Sequence, residues 1–336
     1  MCRSLIVLAG LTAPFISSVE AHHSAIAFEM SQVVAFDATV TSFDWRNPHV
    51  YLTVEDHSGV EWLIETDATP VLSRSGWARD SFATGDAVSV RVHPDKDPEK
   101  AHALLLSIEG PGGVAMASMN RVDLPSESRV LASTDNIGGV WTVDLPPTTD
   151  PVRFPMAIAL RSHPVTEKAR AERAAIERPL IAECLAYPTP LVLALSGLYL
   201  TEIELRDDLV LIRNEYYNTE RTIYMDGRDH AQDGERTLQG HSVGSWENDT
   251  LIVDTRHFAD HPAGNGPSAP SGAQKHVVET FSLSEDGSQV LVDVFLEDPE
   301  YLAEPFHGTI LLDYSPHLEM LSFECDPEVA RRFTLD

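Results

Sequence analysis

Val50-Tyr-Leu-Thr-Val-Glu-Asp-His-Ser-Gly-Val-Glu-Trp-Leu-Ile-Glu65 decides how the first third of the chain is read. Val50–Val54 is apolar and β-branched, His57-Ser-Gly59 is a turn signal, and Val60–Glu65 returns as a second strand. Upstream, Val33–Phe43 has strand composition. Downstream, Thr69–Gly76 reads as a short helix, with Thr69 as its cap, Pro70 at the first helical position and Gly76 as its stop. Gly85-Asp86 then turns into Ala87–His93, and a charged Pro-Asp-Lys-Asp-Pro loop leads to Ala101–Ile108. Three strands, a helix and two strands is the order of a five-stranded OB-like barrel, expected over residues 22–110.

Residues 111–137, rich in Gly, Pro and Ser, read as a linker. Gly138-Gly-Val-Trp-Thr-Val-Asp144 then opens a second β domain running to residue 336. It carries one helical segment, Val165–Ala182, and afterwards strand follows strand: Leu198–Leu205, Leu209–Glu215, Thr219–Met225, Thr250–Asp254, His276–Leu283, Gln289–Glu297, Gly308–Tyr314 and Met320–Cys325. Turn signals such as Asp226-Gly227 and Glu285-Asp-Gly287 separate them. The expected class is predominantly all-β, an OB-like barrel followed by an antiparallel β-barrel or curved sheet. Residues 259–274 read as a flexible loop long enough to be a lid.

The chain of 336 residues has 52 acidic against 24 basic residues, a formal net charge of −28. Such a field repels phosphate backbones, so nucleic acid is excluded as a partner; the simplest reading of the charge is solubility, with cationic partners or metal ions as the alternative. Residues 1–21 have the pattern of a signal peptide: Arg3, an apolar run from Ser4 to Ile16, and Val19-Glu20-Ala21 before the cleavage point. A periplasmic or secreted protein is expected, with no stable membrane span after processing; the alternative for residues 1–21 is an uncleaved membrane anchor. Cys2 falls in the signal, which leaves Cys184 and Cys325 in an oxidising compartment. Paired, they would close a loop of about 140 residues; unpaired thiols or a metal thiolate are the alternatives.

Cleavage after Ala21 exposes His22, whose α-amine and imidazole offer a metal two nitrogens. With His23 and with His49, fixed by Asn47-Pro48, this makes a nitrogen-rich set suited to copper. His93 and His102 are reserves. The alternative is that His22 and His23 are a frayed tail and His49 meets a local partner. In the second domain Arg221, Tyr224, Arg228, His241, Asp254, His276 and Glu279 are candidates for a ligand pocket, against the simpler reading of solvated charges and a buried ion-pair network around Arg221. Gly240-His-Ser-Val-Gly244 matches the nucleophile-elbow letters, but the chain continues into a hairpin rather than a helix, so Ser242 is not read as a nucleophile. Trp45, Tyr51, Trp62 and Trp77 read as core of the first barrel rather than as a stacking platform.

Ala21-His-His-Ser24, Trp45-Arg-Asn-Pro-His-Val50, Ser75-Gly-Trp77 and Gly85-Asp86 together resemble the DUF6152 group, exported bacterial proteins of unknown function. That resemblance implies a small exported OB-like barrel and no established activity. Tyr224-Met-Asp-Gly-Arg228, Gly240–Thr255 and His276-Val-Val-Glu279 resemble a recurrent uncharacterised bacterial β domain, in which Trp-Glu-Gly-Asp is common where this chain has Asn248 for the glycine. Three functions stay open: a metal-binding, copper-holding exported protein; a hydrophobic-ligand carrier or enzyme using the second domain; and a scaffold.

Overall fold

A computed structural model describes residues 27–111, 115–117, 132–143, 155–175, 183–194, 198–230, 233–267 and 269–334. Its first body is built from β1 (Val34–Asp44), β2 (Tyr51–Asp56), β3 (Glu61–Glu65), helix α1 (Thr69–Arg74), β4 (Ala87–Pro94), β5 (His102–Glu109) and the short β6 (Ala115–Ala117). The sheet order is β3-β2-β1-β4-β5-β6, and β3 pairs with β5 in parallel to close a five-stranded barrel. The register shift between Val40 and Ser42 bends β1 so that one strand serves both β4 and β2. Alternation fills the barrel: Val88, Val90 and Val92 point in while Ala87, Ser89 and Arg91 point out.

Helix α1 closes one end with Leu72, which packs among Trp77, Phe82 and Phe43. Its cap differs from expectation. Ala68 holds the cap position, and the Thr69 amide is met by Asn47 Oδ1 at 2.9 Å, so a neighbouring loop rather than the helix's own residue satisfies the first free donor. Tyr51 and Trp77 are core, and Trp45 and Trp62 pack partly buried against it.

The second body is a closed nine-stranded barrel of β7 (Gly139–Val143), β8 (Thr201–Leu205), β9 (Leu209–Asn214), β10 (Thr219–Tyr224), β11 (His241–Glu247), β12 (Thr250–Arg256), β13 (His276–Leu283), β14 (Gln289–Glu297) and β15 (Phe306–Tyr314). A closed barrel can alternate strand direction all the way round only with an even number of strands. Nine strands therefore force one parallel seam, which falls between β10 and β11 (Ile223↔Ser242, Tyr224↔Val243). Parallel neighbours need a crossover, and residues 225–240 supply it. The crossover ends at Gly240, with φ +71°, where a Cβ would lie 2.7 Å from the Arg256 carbonyl oxygen. Only glycine takes that backbone without strain. Trp141, Val253, Phe281, Val292 and Leu312 are among the residues that fill the interior.

Several expectations need correction. Met320–Cys325 is not a strand; it makes only the bridge Asn47↔Cys325, because the segment leaves the barrel to lie across the first body. The helical run is shorter than Val165–Ala182: α2 (Pro155–Arg161) precedes it, Val165 bridges to Leu302, and α3 spans Glu167–Ala174, capped by Thr166. Residues 176–182 lie outside the described residues. The supposed flexible loop 259–274 is packed, with His261, Asn265, Ala269 and Ser271 buried and main-chain bonds joining His261 to Ser271, so it plugs the barrel end. Asn248 takes the left-handed turn position as expected, with φ 55°. Asparagine is among the residues that tolerate it.

Between the two bodies lies a cluster in which Val71 and, from α4 (Leu191–Ala194), Val192 join the aromatic rings of Tyr199, Tyr216 and Phe323. Cys184 and Cys325 are joined by a disulfide, which ties the C-terminal segment to the chain leading into α4. Helix α5 (Pro327–Ala330) continues that segment, and Arg46 pairs with Asp326 at 3.0 Å. Among the described residues no helix is long and apolar enough to cross a membrane.

Candidate functional site

The ladders β10–β11–β12–β13 sort the pocket candidates onto two faces of one barrel wall. Arg221 and Glu279 point inward. Arg221 donates through Nε to Ser242 Oγ at 2.8 Å and through Nη2 to Thr255 Oγ1 at 2.6 Å, and its Nη2 lies 2.6 Å from Glu279 Oε2. This is a sealed ion pair: both side chains are 5% exposed or less, and Ser242 is fully buried. Nearby, Lys275 donates to the Gly264 carbonyl at 2.6 Å beneath the Phe258 ring, and burial pushes its pKa down to about 7. Between Arg221, Asn214, Thr189 and Gln239 there is a cavity of about 10 Å³. That is the room of a single water. The interior polar groups thus pair with one another and with the loop and wall around them.

Tyr224, Arg228, His241, Asp254 and His276 lie instead on the outer face, and there the structure brings them together. Asp254 is the pivot. Its Oδ2 accepts from His276 Nε2 at 2.7 Å and its Oδ1 from His230 Nε2 at 2.9 Å. His276 Nδ1 in turn reaches Glu297 Oε1 at 2.9 Å, its partner across the β13–β14 ladder. His230, carried in by the crossover, faces His241 Nδ1 to Nδ1 at 2.8 Å. Tyr224 stacks on His241 with ring centroids 5.3 Å apart, and the Arg228 guanidinium lies over Tyr224 at 3.9 Å.

Burial and hydrogen bonding set the direction of each pKa along this chain. Hydrogen bonds to Asp254, and more weakly to Glu297, hold the His276 pKa up against partial burial and the nearby Arg256 guanidinium. Burial lowers the pKa of His230, with Asp254 opposing, and lowers that of His241, where His230 and His257 add to the effect. Burial also pushes Asp254 up, but the His276 hydrogen bond and the charges of His276 and Arg256 outweigh it and keep the carboxylate ionised. A neutral His230 that donates from Nε2 to Asp254 must accept at Nδ1. His241 then donates from Nδ1, and its lone pair sits on Nε2.

His257 completes the cluster, its ring centroid 5.8 Å from that of His230 and 6.2 Å from that of His241; the latter two are 5.0 Å apart. It sits in the left-handed region with φ 57°, and its buried Nε2 has no partner among the described residues. Gly234 packs on this ring, where a Cβ would meet Cδ2 at 3.1 Å. As they stand, no three His, Cys, Asp or Glu side chains among the described residues converge as a formed metal site.

Sequence reading missed His230 and Glu297, because only the crossover at the parallel seam and the β13–β14 register carry them to Asp254; it also passed over Arg256, two residues along β12 from Asp254, and His257 just beyond it. In the first barrel, His49 turns toward Glu65, with Nδ1 3.3 Å from Oε1, and burial lowers its pKa to about 4. His93 Nδ1 meets the Gln32 carbonyl at 2.8 Å, and His102 Nδ1 meets Asp95 at 3.1 Å. His22 and His23, like the rest of 1–26, lie outside the described residues.

No curated protein matches the chain. Residues 12–104, which include nearly all of the first barrel, match the model of DUF6152, a family of unknown function.

Proposed function

We propose that this chain is an exported binding protein for a transition-metal cation, and that its binding centre is the imidazole–carboxylate face of the second barrel. One observation carries the reading: Asp254 holds His230 by Nε2, which leaves its Nδ1 facing His241 at 2.8 Å, with His257 alongside and burial favouring the neutral rings. Neutral imidazole is the form that ligates, and a carboxylate on its far nitrogen raises its basicity. The net charge of −28 favours cation capture. The Cys184–Cys325 disulfide agrees with an oxidising compartment and hence with export. His22 and His23, once freed by processing, would add a second nitrogen set suited to copper.

Isothermal titration of the processed protein with Cu(II) and with Zn(II), each as the metal alone, tests the reading. At least one equivalent should bind with a dissociation constant of roughly 1 μM or tighter. Failure to retain either ion would overturn it.

A further inference from the structure

From the arrangement of the three rings we infer a three-histidine site for a divalent transition metal, with His230, His241 and His257 as ligands. It rests on the cation-binding reading above and gives it an address on the barrel wall. In a tetrahedral site with metal–nitrogen bonds of about 2.0–2.1 Å, two ligating nitrogens lie about 3.3 Å apart and the imidazole centroids about 5.2 Å apart. The observed centroid separations are 5.0, 5.8 and 6.2 Å. No ring is therefore more than about 1 Å from that spacing. His230 Nδ1 and His241 Nδ1 stand 2.8 Å apart, sharing one proton. A metal taking the place of that proton needs them to part by only about 0.5 Å. The proton moves to His241 Nε2 through solvent, so both imidazoles remain neutral and both Nδ1 atoms become ligands.

His257 supplies the third nitrogen. Its buried Nε2 has no partner among the described residues, an expected feature of a nitrogen that takes a metal. Asp254 is the positioning residue. It holds His230 Nε2 at 2.9 Å, which fixes the ring with Nδ1 toward the metal position, and His276 and Arg256 hold Asp254 in turn. The nearby cations are balanced, Arg228 by Asp226 and Arg256 by Asp254. Three protein ligands leave a fourth position for water or an incoming donor.

The test uses the full chain carrying His22→Gln and His23→Gln, which removes both terminal imidazoles. Co(II) titration followed by visible absorption, and competition by Zn(II), should give one site with the intense bands of a tetrahedral nitrogen-rich ion. His230→Gln, His241→Gln and His257→Asn should each weaken it by at least about 100-fold, and Asp254→Asn by about 10- to 100-fold. Asparagine is chosen at 257 because it tolerates the left-handed backbone. If His257→Asn fails to fold by circular dichroism, His241→Gln on strand β11 decides. His307→Gln, on the exposed face of β15, should change nothing. Binding insensitive to the three histidines, or absent from this background, overturns the site. Loss of binding also from the protein with His22 and His23 intact would overturn the broader reading with it.

Discussion

Arg74 and Glu215 form a bidentate ion pair across the two barrels, both nitrogen–oxygen distances being 2.9 Å, and Glu215 is fully buried. Its carboxylate also accepts from the Leu200 amide at 2.9 Å and the Leu321 amide at 2.7 Å, so one side chain ties α1, the start of β8 and the C-terminal segment together. Removing one partner of a buried pair strands the other. Arg74→Ala should cost roughly 3–5 kcal/mol in chemical unfolding. Glu215→Gln should cost less than Arg74→Ala, because a neutral amide keeps an acceptor for one of the two amides. A loss below about 1 kcal/mol for Arg74→Ala would show that solvent reaches the pair.

Cys184 and Cys325 are 141 residues apart in sequence, so their bond removes a long loop from the unfolded ensemble. Chain-entropy reasoning puts a crosslink of that span at about 4–5 kcal/mol. Beside it, Arg46 with Asp326 and Arg332 with Asp44 hold the same segment to the first barrel. Cys184→Ser/Cys325→Ser should therefore destabilise the chain by a few kcal/mol and raise hydrogen exchange first over residues 318–334. Uniform exchange with unchanged stability would contradict that picture.

Inside the second barrel the buried Arg221–Glu279 pair makes a sharper test, since desolvation opposes its attraction. Arg221→Leu alone leaves a carboxylate in the core and should cost roughly 3–5 kcal/mol. Arg221→Leu combined with Glu279→Leu should recover most of that loss, with a residue from the hydroxyls of Ser242 and Thr255, which lose their partner. Calorimetric or denaturant unfolding of the single and double variants measures the coupling. Additive losses would mean that the two charges act independently.

The hairpin Val50–Glu65, the five strands with their helix, and most of the second barrel were legible because alternation and turn chemistry are local. The parallel seam was not, because it follows from counting strands around a closed ring. That count required knowing that Met320–Cys325 leaves the barrel and that β11 starts at His241. The site suffered accordingly. Asp254, His241 and His276 stood out as polar residues on strands, yet sequence grouped them with Arg221 and Glu279, which the pleat sends to the other face. His230 gave no signal at all. It lies in the crossover, whose course nothing in local composition fixes.

Acid should loosen the protein through histidines buried as neutral groups. Burial lowers the pKa of both His49 and His261 to about 4. The ordinary value in the unfolded chain is about 6.5. Between those values the unfolded state binds the proton and the folded state does not, so stability falls as pH drops from about 6.5 toward 4, by up to about 3 kcal/mol per group. His276 has the opposite sign. Its raised pKa contributes stability that is complete below about 6.5 and lost as pH climbs through its folded value. His261→Asn isolates one contribution, because the asparagine oxygen can replace Nδ1 as acceptor for the Ala263 amide without titrating. Unfolding free energies of the parent and this variant, measured from pH 7 to 4, should converge as the pH falls. Parallel curves would assign the acid loss to other groups.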